Sequence, residues 1–426
     1  MIVTSSLTKT TSYKVIMPFY AFAALSLLTG ATLLFEFSDK FTGHYFQPQL
    51  LAITHTMALG WGTMMILGAS HQLVPVMIEG KLYSNFLAYL SFGLAAVGIP
   101  LLVYAFFTFN LQWPAQCGAI LINGSILSFL INLTISLLSS KSKNVHAIFV
   151  YTATLWLFTT TMLGLLLIYN FSVPVFSTGS LHFLSLHAHL GIAGWFLLMV
   201  IGVGSRLIPM FLISKYTHVK LLWLIFSLIN GGLLSFIFIF LYTNRRTLLV
   251  LPLAAIAIAI GLFALYCYRA YHTRIRRQVD NQVRTSLLSV LLMGIPIGFL
   301  IILIALLTFS DMNTKLILAY GFSIFFGWIT AIILGMTFKT LPFIVWNKVY
   351  HHRAGLGKTP NPKDLYYAKV FDVMAIAYLL GFTLFITGIL IPSNLLLKYS
   401  SACILLAALL YNWNVFAVIF HKPSLK

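Results

Sequence analysis

The sequence predicts an all-α integral membrane protein: twelve transmembrane helices in three pseudo-symmetric four-helix repeats, forming a single transmembrane domain over residues 1–426. Three observations carry this. Of the 426 residues, 60% are hydrophobic and only 8% charged, a balance that no soluble fold of this length solvates. Apolar runs of about 20 residues, enough to cross a hydrocarbon core, recur from end to end, with no polar block large enough for a soluble domain between them. One 16-residue pattern also occurs three times at near-constant spacing.

The spans follow in order. A polar amino-terminal stretch with Lys9 and Lys14 leads into an apolar run at roughly 15–35. That run is long enough to cross and has no small-residue cleavage pattern behind it, so it reads as a helix and not as a removed signal. Three more spans, at roughly 49–70, 86–108 and 115–138, complete a first repeat over about 1–140. Spans at roughly 147–170, 187–212, 219–241 and 247–267 make a second repeat over about 141–278, and spans at roughly 286–308, 314–337, 367–391 and 397–420 a third over about 279–426.

Charge sets the expected orientation. Of the Lys and Arg residues, 21 fall with the two termini and the even-numbered connections and only 5 with the odd-numbered ones, so both termini are expected on the cytoplasmic side of a bacterial inner membrane. The formal charge of +19 gathers in Arg269, Arg274, Arg276, Arg277 and Arg284 in one cytoplasmic connection and in Lys348, Arg353, Lys358 and Lys363 in another. Such clusters fit attraction to anionic lipid headgroups, not nucleic acid. The isolated Cys117, Cys267 and Cys403 form neither a disulfide framework nor the C-x-x-C-H of attached haem, so any haem is expected to be non-covalent.

The repeats rest on GWGTMMILGASHQLVP at 60, GWFLLMVIGVGSRLIP at 194 and GWITAIILGMTFKTLP at 327, which align without a gap and lie 134 and 133 residues apart. Each copy holds Gly, Trp, Gly and Pro at fixed places: Gly60, Trp61, Gly68, Pro75; Gly194, Trp195, Gly202, Pro209; Gly327, Trp328, Gly335, Pro342. Glycines permit close helix approach, and the Pro is expected to bend or end its helix.

Six residues before the repeated Trp stand His55, His189 and Phe322, so two copies keep a histidine that the third lacks. Both histidines fall at one shallow depth, about 30 Å of helix from the Pro at the other side. An imidazole there needs a partner, and three arrangements supply one: the two axial nitrogens of a haem iron, mutual hydrogen bonding through water, or a small metal ion such as copper or zinc. His187 lies about 200° around the helix from His189, so the two face different compartments. His44 and His182 lie in outer connections and add candidate donors to a metal site there. His71 is at the far end of the second span, about 24 Å from His55. His351 and His352 belong to a basic loop and read as solvated.

THTMALGWGTMMILGASHQLVP resembles the second helix of the catalytic subunit I of haem–copper oxidases and nitric oxide reductases, and HAHLGIAGWFLLMVIGVGSRLIPMF is similar to sixth-helix segments of its short, divergent relatives. The resemblance implies twelve helices in three arcs, with ligating histidines toward the outer side and a haem ligand at His55. It further implies a b-type haem between the first two repeats, held by His55 and His189. His187, with Tyr320 near it, is then expected to hold a second haem or a copper ion, and His182 is a further candidate donor.

The departures from that pattern shape the functional expectation. The tenth span reads LAYGFSIFFGW, with Tyr320 and Phe322 where the enzymes carry an H-x-H pair. The seventh, LLWLIFSLINGGLLSFIFIF, lacks the tandem copper histidines, and the sixth lacks His-Pro-Glu-Val-Tyr. Seven acidic residues, Glu36, Asp39, Glu79, Asp280, Asp311, Asp364 and Asp372, all sit at or near span ends, leaving no carboxylate proton route. The expected function is therefore electron transfer or handling of nitric oxide or oxygen, without proton pumping, beside a redox partner or accessory membrane subunit. Two alternatives stay open: a transporter or handler of copper, haem or a small solute, and a non-catalytic assembly partner of a respiratory complex.

Overall fold

Inside a bilayer, backbone N–H and C=O groups find no water, so each apolar span must close its own hydrogen bonds as a helix. The computed structural model describes residues 11–140, 144–243, 245–275, 277–307, 313–351 and 359–423; Lys9, Arg276, Asp311, His352, Arg353 and Lys358 lie outside them. Among the described residues, twelve helices are long and apolar enough to cross a membrane. They are α1 (Tyr13–Glu36), α2 (Pro48–Met77), α3 (Asn85–Phe107), α4 (Trp113–Leu138), α5 (Val145–Tyr169), α6 (Ser180–Leu212), α7 (Val219–Tyr242), α8 (Arg246–His272), α9 (Asn281–Leu306), α10 (Thr314–Tyr350), α11 (Ala368–Leu390) and α12 (Asn394–Ile419). No strand accompanies them among the described residues, only an isolated antiparallel bridge between Ser214 and Arg274.

The three Trp-bearing helices form the centre. Their apolar windows are 67% (α2), 78% (α6) and 72% (α10) buried, against 28%, 22% and 28% for α7, α8 and α9, which therefore turn most of their surface to lipid. Close packing around this centre relies on glycine: a Cβ at Gly118 in α4 would meet the Leu102 backbone nitrogen of α3 at 2.8 Å.

Each central helix changes its winding at one equivalent place. Thr56–Thr63, Leu190–Leu197 and Ser323–Ile329 are π-helical, starting directly after His55, His189 and Phe322, and each contains its Trp. Such wide turns are rare and often mark functional positions. From these turns Trp61 Nε1 donates to Thr330 Oγ1 at 3.0 Å, and Trp195 Nε1 donates to Thr63 Oγ1 at 3.0 Å. Each bond joins a Trp to the residue two places after the Trp of a neighbouring central helix. In α6 that place holds Leu197, and the Trp328 indole has no partner among the described residues.

The repeated prolines behave less uniformly than expected. Pro75 and Pro209 stand close to the ends of their helices, but α10 continues past Pro342 to Tyr350.

Candidate functional site

At the end of the bundle where α2, α6 and α10 begin lies a cavity of about 710 Å³, with His55, His187, His189 and Tyr320 on its walls. That volume is within the usual range for ligand and cofactor sites. No Lys, Arg, Asp or Glu among the described residues lines it. The cavity extends to both sides of α6.

On one side, His55 is the last residue before the π-helical turn of α2. Its Nδ1 lies 2.8 Å from the Leu51 carbonyl, and its ring lies against Phe106 of α3 with centroids 4.3 Å apart. His187 turns toward α5, where its Nδ1 lies 3.1 Å from the Thr160 carbonyl and its ring covers Gly164. Gly164 makes that position possible, because a Cβ there would stand 2.9 Å from His187 Cε1. His55 and His187 both line this cavity, His55 against α3 and His187 against α5.

On the other side, His189 Nδ1 is 2.7 Å from the Ser185 carbonyl. Its Nε2 is 3.2 Å from the Tyr320 hydroxyl of α10, and its ring lies near Phe236 of α7. A carbonyl only accepts, so in all three neutral rings the proton sits on Nδ1 and Nε2 keeps its lone pair. For His189 that lone pair accepts from Tyr320. For His55 and His187 no partner for Nε2 is found among the described residues.

His187 and His189 thus face different compartments, but the partners differ from those expected. Tyr320 stands with His189 and not, as expected, with His187. The third equivalent position, Phe322, stacks on Phe385 and Phe326 with centroids 4.4 and 4.9 Å apart and meets Phe41 edge-on, so aromatic rings fill that place.

The remaining histidines stand apart. His182 is exposed at the cavity rim, its ring against Phe183 and Phe240. His44 is exposed and accepts from the Phe46 backbone N–H. His71 is fully buried between Phe19 and Phe129, a depth its place near the end of a span did not foretell. No group of three or more His, Cys, Asp or Glu side chains gathers to hold a metal ion among the described residues.

Sequence reasoning also missed Thr160, Gly164, Thr63 and Thr330. For the last two a signal was present, since GWGT and GWIT share a Thr that GWFL lacks. The donor chemistry is compatible with a haem: two imidazoles, each with Nδ1 on a backbone carbonyl, leave Nε2 toward an apolar cavity.

Among the described residues, twelve helices long and apolar enough to cross a membrane define an all-α integral membrane protein. No protein-family profile matches the chain, and no curated protein matches it in sequence.

Proposed function

We propose that the chain is a haem-binding electron-transfer protein, a divergent member of the haem–copper oxidase and nitric oxide reductase subunit I superfamily. In this reading His55 and His187 hold one non-covalent b-type haem between the first two of three repeats. The observation that carries it is that His55 and His187 line one apolar cavity, each with Nδ1 on a backbone carbonyl and Nε2 without a partner among the described residues.

A haem held by His55 and His187 would supply electron transfer and not gas chemistry. The protein's own part is positioning. The Leu51 and Thr160 carbonyls keep the protons on Nδ1 and fix the ring planes, while Phe106 and the apolar walls exclude water. With acidic residues confined to span ends, the reading includes no proton pumping. The Trp-to-Thr bonds between central helices support the threefold repeat, and the uneven Lys and Arg distribution supports termini on the cytoplasmic side. In this reading a redox partner or accessory subunit would supply or accept the electrons.

The test is the visible spectrum of the purified, reduced protein together with haem content per chain. Wild type is expected to carry a low-spin b-type haem, and His55→Ala and His187→Ala to lose it. A folded wild type without haem, or both variants retaining it, overturns the proposal.

A further inference from the structure

We propose that a small cavity between α2, α6 and α10 binds a singly charged copper ion through the thioethers of Met65, Met199 and Met336. The site is separate from the histidine cavity and does not rest on the haem reading.

This cavity lies further along the three central helices than their π-helical turns and holds about 90 Å³. That is well above the roughly 10–15 Å³ that admits one water molecule. Each central helix sends one or more side chains to the wall, and each sends a methionine. Met65 and Met199 stand five places after Gly60 and Gly194, and Met336 one helical turn further along its own copy. Met65 Sδ lies 3.9 Å from Thr337 Oγ1, on the residue next to Met336, so the thioether of α2 reaches the level of the one in α10. Methionine is the most adaptable filler of irregular gaps in an apolar core, and interiors are otherwise close-packed. A space left open among three such side chains is therefore not a gap that packing failed to reach; it suits an occupant.

The wall selects that occupant. Thr337 donates to the Ile333 carbonyl and Thr340 to the Met336 carbonyl, so Tyr411 donates to Thr337 and Tyr20 to Thr340. With these hydrogens spent, the oxygens of Tyr20, Thr337 and Thr340 add only lone pairs to those of the three sulfurs. An anion fails here, since no Lys or Arg lines the cavity. Zinc fails as well, because the wall has no His, Cys, Asp or Glu. Calcium and magnesium ions need a shell of oxygens that the apolar wall does not supply. Copper in its singly charged state meets the conditions: it is soft, thioethers are among the ligands it selects, and three neutral sulfurs from three helices can surround it.

The experiment adds copper-stripped, purified full-length protein, without oxygen, to singly charged copper held by the coloured chelator bathocuproine disulfonate, and reads the copper withdrawn. Wild type is expected to withdraw about one equivalent per chain. Met65→Leu, Met199→Leu and Met336→Leu each nearly conserve side-chain volume, so the fold is expected to persist. Each is expected to weaken copper binding by about 10–100-fold. Met162→Leu, at an exposed position of α5, is the control and is expected to bind as wild type does. X-ray absorption at the copper edge is expected to show sulfur neighbours and no imidazole. No copper withdrawn by folded wild type, equal affinity in wild type and the three cavity variants, or an imidazole shell overturns the proposal.

Discussion

Gly164→Ala isolates the role of His187 without touching a histidine. The added Cβ would lie 2.9 Å from His187 Cε1 and 3.5 Å from its Nδ1, where ordinary contacts begin near 3.4 Å. The ring must withdraw by roughly 0.5–1 Å, and its Nδ1, already 3.1 Å from the Thr160 carbonyl, passes beyond hydrogen-bonding distance. Losing that bond costs about 1 kcal/mol and crowding about 1–3 kcal/mol, offset by about 1 kcal/mol for replacing a helical glycine. The fold survives such a change, while misplacing a ligand's supporting contact typically lowers metal affinity about 10–100-fold. Haem content per chain and haem titration of the depleted protein read this directly. Gly231→Ala in α7, where a Cβ meets nothing within 4 Å, is the control and is expected to keep full affinity. Wild-type haem affinity in Gly164→Ala would refute ligation by His187.

Three further outcomes are expected. Trp61→Phe and Trp195→Phe each break a 3.0 Å interhelical bond and should lower the thermal unfolding midpoint more than Trp328→Phe does, by the equivalent of about 1 kcal/mol. In Gly118→Ala the Cβ meets the Leu102 nitrogen and Gly98 carbonyl at 2.8 and 3.0 Å, so α3 and α4 must part at a cost of about 1–3 kcal/mol, measurable as a lower unfolding midpoint in detergent. Tyr366, outside the spans, has its hydroxyl pushed up to about 12, chiefly by burial and further by Asp280, Asp372 and Asp364. The folded chain therefore keeps a proton that the unfolded chain releases, and stability falls as pH rises from the ordinary tyrosine value through about 12. Tyr366→Phe should flatten that alkaline decline in unfolding midpoint.

The twelve spans are legible in the sequence because lipid allows only one solution for an apolar run of this length. Their ends are less so: α10 passes beyond Pro342 to Tyr350, since tertiary contacts such as Tyr350 with His421 support its last turns. His55, His187 and His189 are legible as candidate site residues because imidazoles are costly among apolar side chains. Their partners are not, because pairing depends on how the helices are placed around one another. The sequence places Tyr320 near His187, but the folded chain sets its hydroxyl against His189. The π-helical turns had no signal in hydrophobic periodicity, and Thr160 and Gly164 of α5 enter the site only through helix packing.

The most direct test of the His55–His187 pair is magnetic circular dichroism of the oxidised haem protein, comparing His187→Ala with His189→Ala. The bis-imidazole low-spin signature should disappear in His187→Ala and persist in His189→Ala. Its persistence in His187→Ala with loss in His189→Ala would contradict the pairing.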